Sequence, residues 1–468
     1  MSNEADGRMD LEYELDDKPP LPKSILLAIQ HVAVMIVPAT AVAYVVGGDV
    51  GLAGPDIAYI VQMVLLFSGI ATVVQAYTVG PIGAKLPIVM GASFTFVGAS
   101  ISIGLEFGMA AVFGAILVTG FVVEGLIGWQ FDRIKSFFPP LVTGLVVAII
   151  GLYLIPVGME YAGGGDAGAS DFGAAYHIGL AALVLGVAIG LNLLTRGATR
   201  LFSVIAAIAT GYVAALALDF WAGTGLVDFT DVASADLVAI PEPTRFGLEF
   251  EPIAIVMFAF LFLVSAMETV GDMSGVTAAE GRSPDETEVR GGLFTDGIAS
   301  SLGSLFAAFP VTSFSQNVGI VSFTGVMSRH VVAISGVILA LLGFSPAVGA
   351  LVTTIPHAVF GGAVVLMAGM VAASGVRLIA LHTAFDRRNM VIVATSLGLG
   401  LGVATMPEVL QGLPTAAEMF FGEPVILTAL SALVLNTFVP GEQSPLFDAV
   451  TTDDATDSDS PAVEPSDD

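Results

Sequence analysis

The stretch FPVTSFSQNVGIVSFTG, Phe309 to Gly325, decides how this chain is read. It is apolar enough to lie within a membrane, yet Pro310 and Gly319 stand where a spanning helix would continue, and Gln316 and Asn317 occupy its centre. Amides in hydrocarbon cost free energy unless something satisfies them. Non-helical backbone at membrane depth is tolerated only where protein buries it or where it lines a cavity. The stretch therefore predicts a broken segment beside a cavity, provided that the rest of the chain forms a membrane domain.

Composition supplies that condition. The chain is 55% hydrophobic and 12% charged over 468 residues, with a mean hydropathy of +0.88. A soluble globule is typically about 45–50% apolar, so a polytopic membrane protein is expected. Ile25 to Val46, Leu141 to Gly158 and Pro252 to Gly271 each reach the roughly 20 residues that a bilayer core demands. Hydropathy marks about fourteen such tracts, two of them short or interrupted. The acidic segment Met1 to Asp17 precedes the first apolar run, so no cleavable signal peptide is expected. The chain has no cysteine, which excludes disulfides.

The net charge of −27 gathers in the tails and in loops such as Val227 to Pro252. Both tails read as disordered and solvated. An acidic water-facing surface with few lysines reads as solubility at high salt, and so as a halophilic source. Basic residues set the topology. With a cytoplasmic N-terminus and alternating spans, Arg8, Lys18, Lys23, Lys85, Arg133, Lys135, Arg196, Arg200, Arg282, Arg290, Arg329, Arg377, Arg387 and Arg388 fall on the cytoplasmic side. Only Arg245 falls outside. This positive-inside bias supports an even number of spans and two cytoplasmic termini.

A second interrupted segment, LPIVMGASFTFVGAS from Leu86 to Ser100, also runs from a proline through a Ser-Phe pair into glycine. Ser93 lies as far beyond Pro87 as Gln316 lies beyond Pro310. As the third and tenth spans the two belong to halves of opposite orientation, the pattern of an inverted repeat. Interrupted segments at matching positions of two halves point to a transporter binding site. Ionisable residues add to this: His31 beside Gln30 in the first span, Glu268 and Asp272 at the end of the eighth, and Asp296 at the opening of the ninth. A carboxylate near the bilayer centre costs at least about 2.5 kcal/mol, so it normally faces a cavity or a partner. Asp272 and Asp296 also suit capping near helix ends, His31 suits a packing role, and Glu124 suits a structural pairing with Arg133 or Lys135.

Gln316-Asn317-Val318-Gly319, with Thr324-Gly325 after a four-residue gap, resembles the signature of the nucleobase-ascorbate transporters, the nucleobase:cation symporter-2 family. Gln30-His31, Glu268 with Gly271-Asp272, Asp296-Gly297 and Pro140-Leu141-Val142-Thr143-Gly144 are similar to further motifs of that family, in order, from about Lys23 to Phe438. The segment Ile355 to Gly362 departs from the usual Pro-x-Pro-Val-x-Gly-Gly form.

The resemblance implies an all-α membrane protein of fourteen spans in two inverted repeats of seven. Spans 1–4 and 8–11 (about 23–130 and 252–343) would form a core, spans 5–7 and 12–14 (about 139–222 and 357–440) a gate that also dimerises, and 1–22 and 441–468 acidic tails. Spans 3 and 10 would each hold a short strand and a half-helix, with the substrate between them. Phe94 would pack against its ring, Glu268 and Gln316 would bond its edge, and the Ser315 backbone would add a contact. Asn317, Gly319 and Thr324 would organise the site, and Gln30, His31, Asp272 and Asp296 would organise it or couple it to a proton.

The chemistry is coherent on its own terms. A flat base with alternating N–H and C=O groups needs an aromatic surface and groups that donate and accept. A buried Glu268 could take up and release a proton in each cycle, which makes proton symport the natural coupling. The Gln-Asn form of the motif is similar to that of xanthine and urate carriers, so an oxidised purine is favoured. A uracil permease of the same family stays open, and an anion or sulfate carrier of the same fold less so, because Glu268 would repel an anion. No His-x-x-His or Ser/His/Asp grouping suggests an enzyme. The reading is thus a multi-pass carrier in the cell membrane, homodimeric through the gate, with a nucleobase and a proton as ligands and no cofactor, metal or nucleic acid.

Overall fold

The computed structural model describes residues 11–131, 139–195, 200 and 202–440. Arg8, Arg133, Lys135 and Arg196 of the topology argument, the first ten residues and the acidic end from 441 onward lie outside the described residues.

The first half contains α1 (Leu21–Asp49), α2 (Gly54–Ala76), β1 (Met90–Ala92), α3 (Val97–Phe107), α4 (Met109–Trp129), α5 (Pro140–Gly163), α6 (Ala175–Leu194) and α7 (Ser203–Ala222). The second contains α8 (Pro252–Thr277), α9 (Glu286–Ser304), β2 (Val311–Ser313), α10 (Ser315–Thr324), α11 (Arg329–Gly343), α12 (Pro346–Thr353), α13 (His357–His382), α14 (Arg387–Thr405), α15 (Thr415–Gly422) and α16 (Pro424–Phe438). Proline in the first turn starts α1, α2, α5, α8, α12 and α16, where its fixed φ fits and its missing N–H costs nothing. Among the described residues, 9 helices are long and apolar enough to cross a membrane, or up to 11 if each bent pair, α11–α12 and α15–α16, is one span. The expected fourteen is reached only by adding the two strand and half-helix segments, which are short, and α9, which carries Glu286, Glu288, Arg290 and Asp296.

Helix packing displays the expected inverted repeat. α2 packs on α11 as α9 packs on α4, α1 on α11 as α8 on α4, α6 on α7 as α14 on α16, and α6 on α13 as α14 on α5. Each statement becomes its partner when a span is exchanged for the span seven later. Two contacts lie on the axis itself. One is α5 against α13, which approach so closely that a Cβ on Gly151 would stand 2.2 Å from the Ala372 nitrogen. The other is β1 against β2, antiparallel, with Met90 opposite Ser313, Gly91 opposite Thr312 and Ala92 opposite Val311. The Ser93 N–H donates to the Pro310 carbonyl at 3.0 Å and the Phe314 N–H to that of Val89 at 3.0 Å, one bond being the image of the other.

These two bonds correct the equivalence drawn from the prolines. Exchange of the halves carries Ser93 onto Phe314 and β1 onto β2 end to end, Met90 onto Val311, hence Thr95, not Ser93, onto Gln316. Three further expectations change. Gly319 does not break the half-helix, which runs through it to Thr324 and ends at Gly325, whose φ of 66° glycine adopts without strain. Glu268 and Asp272 lie inside α8, which continues to Thr277, and Asp296 lies in the interior of α9; hydroxyl partners satisfy them there without a helix end. The N-terminal tail is not wholly solvated: Tyr13 bridges Val326, and Glu12 and Tyr13 donate their N–H groups to the Gly325 carbonyl.

Candidate functional site

Crossing strands place two helix starts at the middle of the molecule. After β1 the chain turns at Ser93, whose hydroxyl accepts the Thr95 N–H at 3.2 Å, and α3 follows. After β2, Phe314 leads directly into α10. The first amides of each half-helix have no intrahelical acceptor, so both ends present donors beside the strand pair. Gly91 is needed here, because a Cβ on it would stand 2.8 Å from the Phe314 ring.

Three carboxylates surround this crossing. The Thr95 hydroxyl donates to Glu268 Oε2 at 3.3 Å. The Ser313 hydroxyl donates to Asp272 Oδ2 at 2.6 Å, and the Ser315 side chain also bonds Asp272. Asp296 is fully buried; Gln75 Nε2 donates to its Oδ1 at 3.2 Å, and the Thr269 hydroxyl donates to Oδ2. The Gln75 oxygen accepts the Ala84 N–H at 2.9 Å, which fixes the amide's orientation. The Ser313 hydroxyl also lies 3.3 Å from that of Thr269, its one hydrogen serving either Thr269 or Asp272, so the Asp272 and Asp296 clusters adjoin. Each acid is held by one or two hydroxyls, with an amide added at Asp296, and no Lys or Arg ion pair reaches any of them among the described residues. Neutral donors can serve a carboxyl in either protonation state by hydroxyl rotation, which a fixed cation cannot.

On the other side of α10, His31 Nδ1 and Asn317 Oδ1 share a hydrogen bond of 3.0 Å between buried side chains. It ties the half-helix to α1. Phe94, Ser315 and Gln316 are half-buried at the half-helix starts. Thr324 closes the far end of α10, its hydroxyl donating to the Ile320 carbonyl at 2.8 Å and accepting the Val326 N–H at 3.2 Å. Gly319 is exposed with open space where a side chain would stand, and the Gln30 oxygen is buried without a partner. A cavity of about 370 Å3 lies apart from these residues, at the C-terminal ends of α1 and α5, lined by Tyr44, Asp49, Tyr161 and His357 among others.

Sequence reasoning missed Thr95, Thr269, Ser313 and Gln75, the donors that hold the acids. Single hydroxyls are too common in apolar helices to stand out. The one signal was Thr95 falling next to Phe94 in a segment already marked as broken. It also read Glu124 as pairing with Arg133 or Lys135, which lie outside the described residues; Glu124 is fully buried where α4 meets Gly297 of α9.

A helical membrane domain in which two strand and half-helix breaks meet among buried carboxyl groups has the architecture of a secondary transporter. Comparison with known proteins narrows the class: the model of the Permease family named Xan_ur_permease matches residues 22–409, and the chain belongs to this family, the nucleobase:cation symporter-2 permeases. It is 35% identical to Xanthine permease XanQ of Escherichia coli strain K12 over 94% of this chain and 96% of that protein. It is 37% identical to the Xanthine permease of Bacillus subtilis strain 168 over 88% and 93% of the two chains. Uric acid permease PucK of the same organism is 35% identical over 90% and 96%. Among solved structures, the transmembrane domain of the cyanobacterial bicarbonate transporter BicA superposes with a TM-score of 0.56 at 13% identity, covering 89% of this chain and 97% of that one. The murine anion transporter Slc26a9 in its inward-facing state does so with a TM-score of 0.57 at 12% identity, covering 90% and 69%. These two share the fold. The chain is a multi-pass membrane transporter of a small molecule, not an enzyme.

Proposed function

We propose that the chain carries an oxidised purine base, xanthine or urate, into the cell together with protons. The observation that carries this reading is the convergence of Glu268, with its Thr95 partner, and the Gln316-bearing half-helix on the crossing of β1 and β2. An amide and a carboxyl offer the donor and acceptor pattern that an imide edge requires. The relatives named for xanthine and uric acid support the substrate class. Phe94 packs against the base, Glu268 and Gln316 bond it, and Ser315 adds a contact. Asp272, Asp296 and the His31–Asn317 pair keep these groups in place or exchange protons with them.

The packing supports alternating access. α1 to α4 and α8 to α12 pack mainly among themselves, as do α5 to α7 and α13 to α16. The first group is the core that carries the substrate, and the second is the gate against which it moves and through which two copies associate. Both termini face the cytoplasm of a plasma membrane. Lys23, Arg282, Arg329 and Arg388 lie toward one end of the helices, whereas Arg245 pairs with Asp56 at the start of α2, the opposite end.

The test is uptake of labelled xanthine, urate and uracil by purified protein in liposomes under an imposed pH gradient. Accumulation of a purine that collapses when the gradient is dissipated is the expected outcome. Preference for uracil, or uptake indifferent to the gradient, would refute it.

A further inference from the structure

The stretch LEYELD, Leu11 to Asp16, alternates apolar and acidic residues without a break. Strict alternation marks a strand with one face buried, not a solvated tail. Leu11, Tyr13 and Leu15 are accordingly half-buried, and Glu12, Glu14 and Asp16 are exposed. The segment lies along the connector between α10 and α11, where Tyr13 pairs in parallel with Val326. The Glu12 and Tyr13 N–H groups donate to the Gly325 carbonyl at 2.8 and 3.2 Å, the Met327 N–H to that of Tyr13 at 2.9 Å, and the Arg329 N–H to that of Leu15 at 3.0 Å. The Ser328 hydroxyl donates to the Asp17 carbonyl at 2.6 Å.

Side chains close the same seam. Leu11 and Leu15 pack against the apolar cluster that holds Val321 of α10 and Met327, and Tyr13 against the one formed by Ala28, Val326 and Val331. Asp16 pairs with Arg329 at 2.6 Å, and Glu12 with Lys23 of α1 at 2.5 Å. Such exposed pairs are worth little alone, so the backbone bonds and the apolar face carry the attachment. Every partner named lies in α1, α10, α11 or their connector, all within the core group, so the segment travels with the core. α10 has only ten residues and bears Ser315 and Gln316 at its start. A shift at Gly325 is therefore felt at Gln316 through a helix about 15 Å long. The His31–Asn317 bond holds the near end of α10, and the Leu11–Asp17 segment holds the far end.

We propose that Leu11 to Asp17 is a built-in strap of the carrier that fixes the far end of α10, and that it thereby sets the affinity of the substrate site at the start of that half-helix. The affinity part rests on the reading of Gln316 and Ser315 given above; the attachment does not. The strap touches no substrate and acts by positioning α10.

The chain has no cysteine, so an introduced pair can be read cleanly in the full-length protein in liposomes. Neighbouring strands lie about 4.8 Å apart, within the roughly 4.4–6.8 Å between Cα atoms that a disulfide spans. Tyr13→Cys with Val326→Cys is thus expected to cross-link on mild oxidation, and Tyr13→Cys with Val337→Cys, an exposed position further along α11, is not. Purine exchange should persist in the cross-linked protein, because the strap moves with the core. Failure of the first pair to cross-link, or exchange lost on oxidation and regained on reduction, overturns the proposal.

Affinity is read from Leu11→Asp with Leu15→Asp, which places carboxylates on the buried face of the strap. The KM for purine exchange is expected to rise about fivefold or more, with the maximal rate within about twofold, as when binding alone is lost. Adding the Tyr13→Cys and Val326→Cys pair and oxidising it should bring the KM back, and reduction should raise it again; a general folding defect would lower the maximal rate and would not follow the disulfide. A wild-type KM, or a raised KM that oxidation does not restore, overturns the proposal. Should this variant not reach the membrane, Leu11→Ala with Leu15→Ala, read in the same way, decides. Wild-type protein that exchanges no purine removes the functional reading and leaves the cross-linking result standing; normal purine exchange with an unmoved KM removes this proposal alone.

Discussion

Glu268 and Gln316 approach the substrate site with different chemistry, and their variants separate coupling from recognition. Glu268→Gln keeps the size of the side chain and a partner for Thr95 but carries no proton. It is expected to reach the membrane, to keep exchange, and to lose gradient-driven accumulation by at least about tenfold; accumulation at the wild-type rate with the same pH dependence would show that Glu268 does not couple. Gln316→Glu adds a second acid near Glu268 and leaves a base N–H or C=O mismatched. An unpaired buried polar group costs about 1–3 kcal/mol, or roughly 5- to 150-fold in preference, so the ratio of xanthine to uracil uptake should fall by that order. A ratio that does not move shows that Gln316 does not read the base. These two residues were legible because a carboxylate or amide in an apolar tract is conspicuous. Thr95 and Ser313 were not, since a hydroxyl declares its role only when the acid it serves is seen beside it.

At the level of elements, the sequence revealed where helices fail more readily than how. Pro310 and Pro87 marked the two broken segments, and both contain a strand and a half-helix. The pairing of those strands was hidden, because three residues of extended chain carry no periodicity to read, and the register moved the equivalence of the halves by two residues. Helices such as α9, charged yet buried along Gly291, Gly292 and Gly297, escape a hydropathy count because their membrane fit comes from packing on α2 and α4 rather than from an apolar surface. The α5–α13 contact shows the same dependence on small residues. Gly151→Ala would bring a methyl carbon to 2.2 Å from the Ala372 nitrogen, so the backbones must part. The cost is about 1–3 kcal/mol, expected as a lower melting temperature in detergent. The reference is Gly179→Ala, where a Cβ meets nothing within 4 Å; equal melting of the two variants would mean that the helices separate freely.

Over the whole molecule, composition was enough to predict a multi-pass membrane protein, the two interrupted segments pointed to a transporter, and the exchange pattern of helix contacts gives the repeat its physical content. The strand pair adds a consequence for assembly. Neither half can complete β1 or β2 by itself, since every ladder bond joins residues on either side of the chain's midpoint. Each half is instead a lock for the other. A chain cut between Ala233 and Ser234, both exposed, should therefore behave as two fragments that are degraded or aggregated when made singly and that reconstitute purine uptake when made together. Recovery of activity from either fragment alone is the result this pairing forbids. A protein of this kind is, in effect, an obligate heterodimer whose subunits happen to be connected, and the loop between Ala222 and Pro252 that connects them also clasps both, the Glu242 N–H donating to the Tyr59 hydroxyl of the first half and the Ala239 N–H to the Phe344 carbonyl of the second.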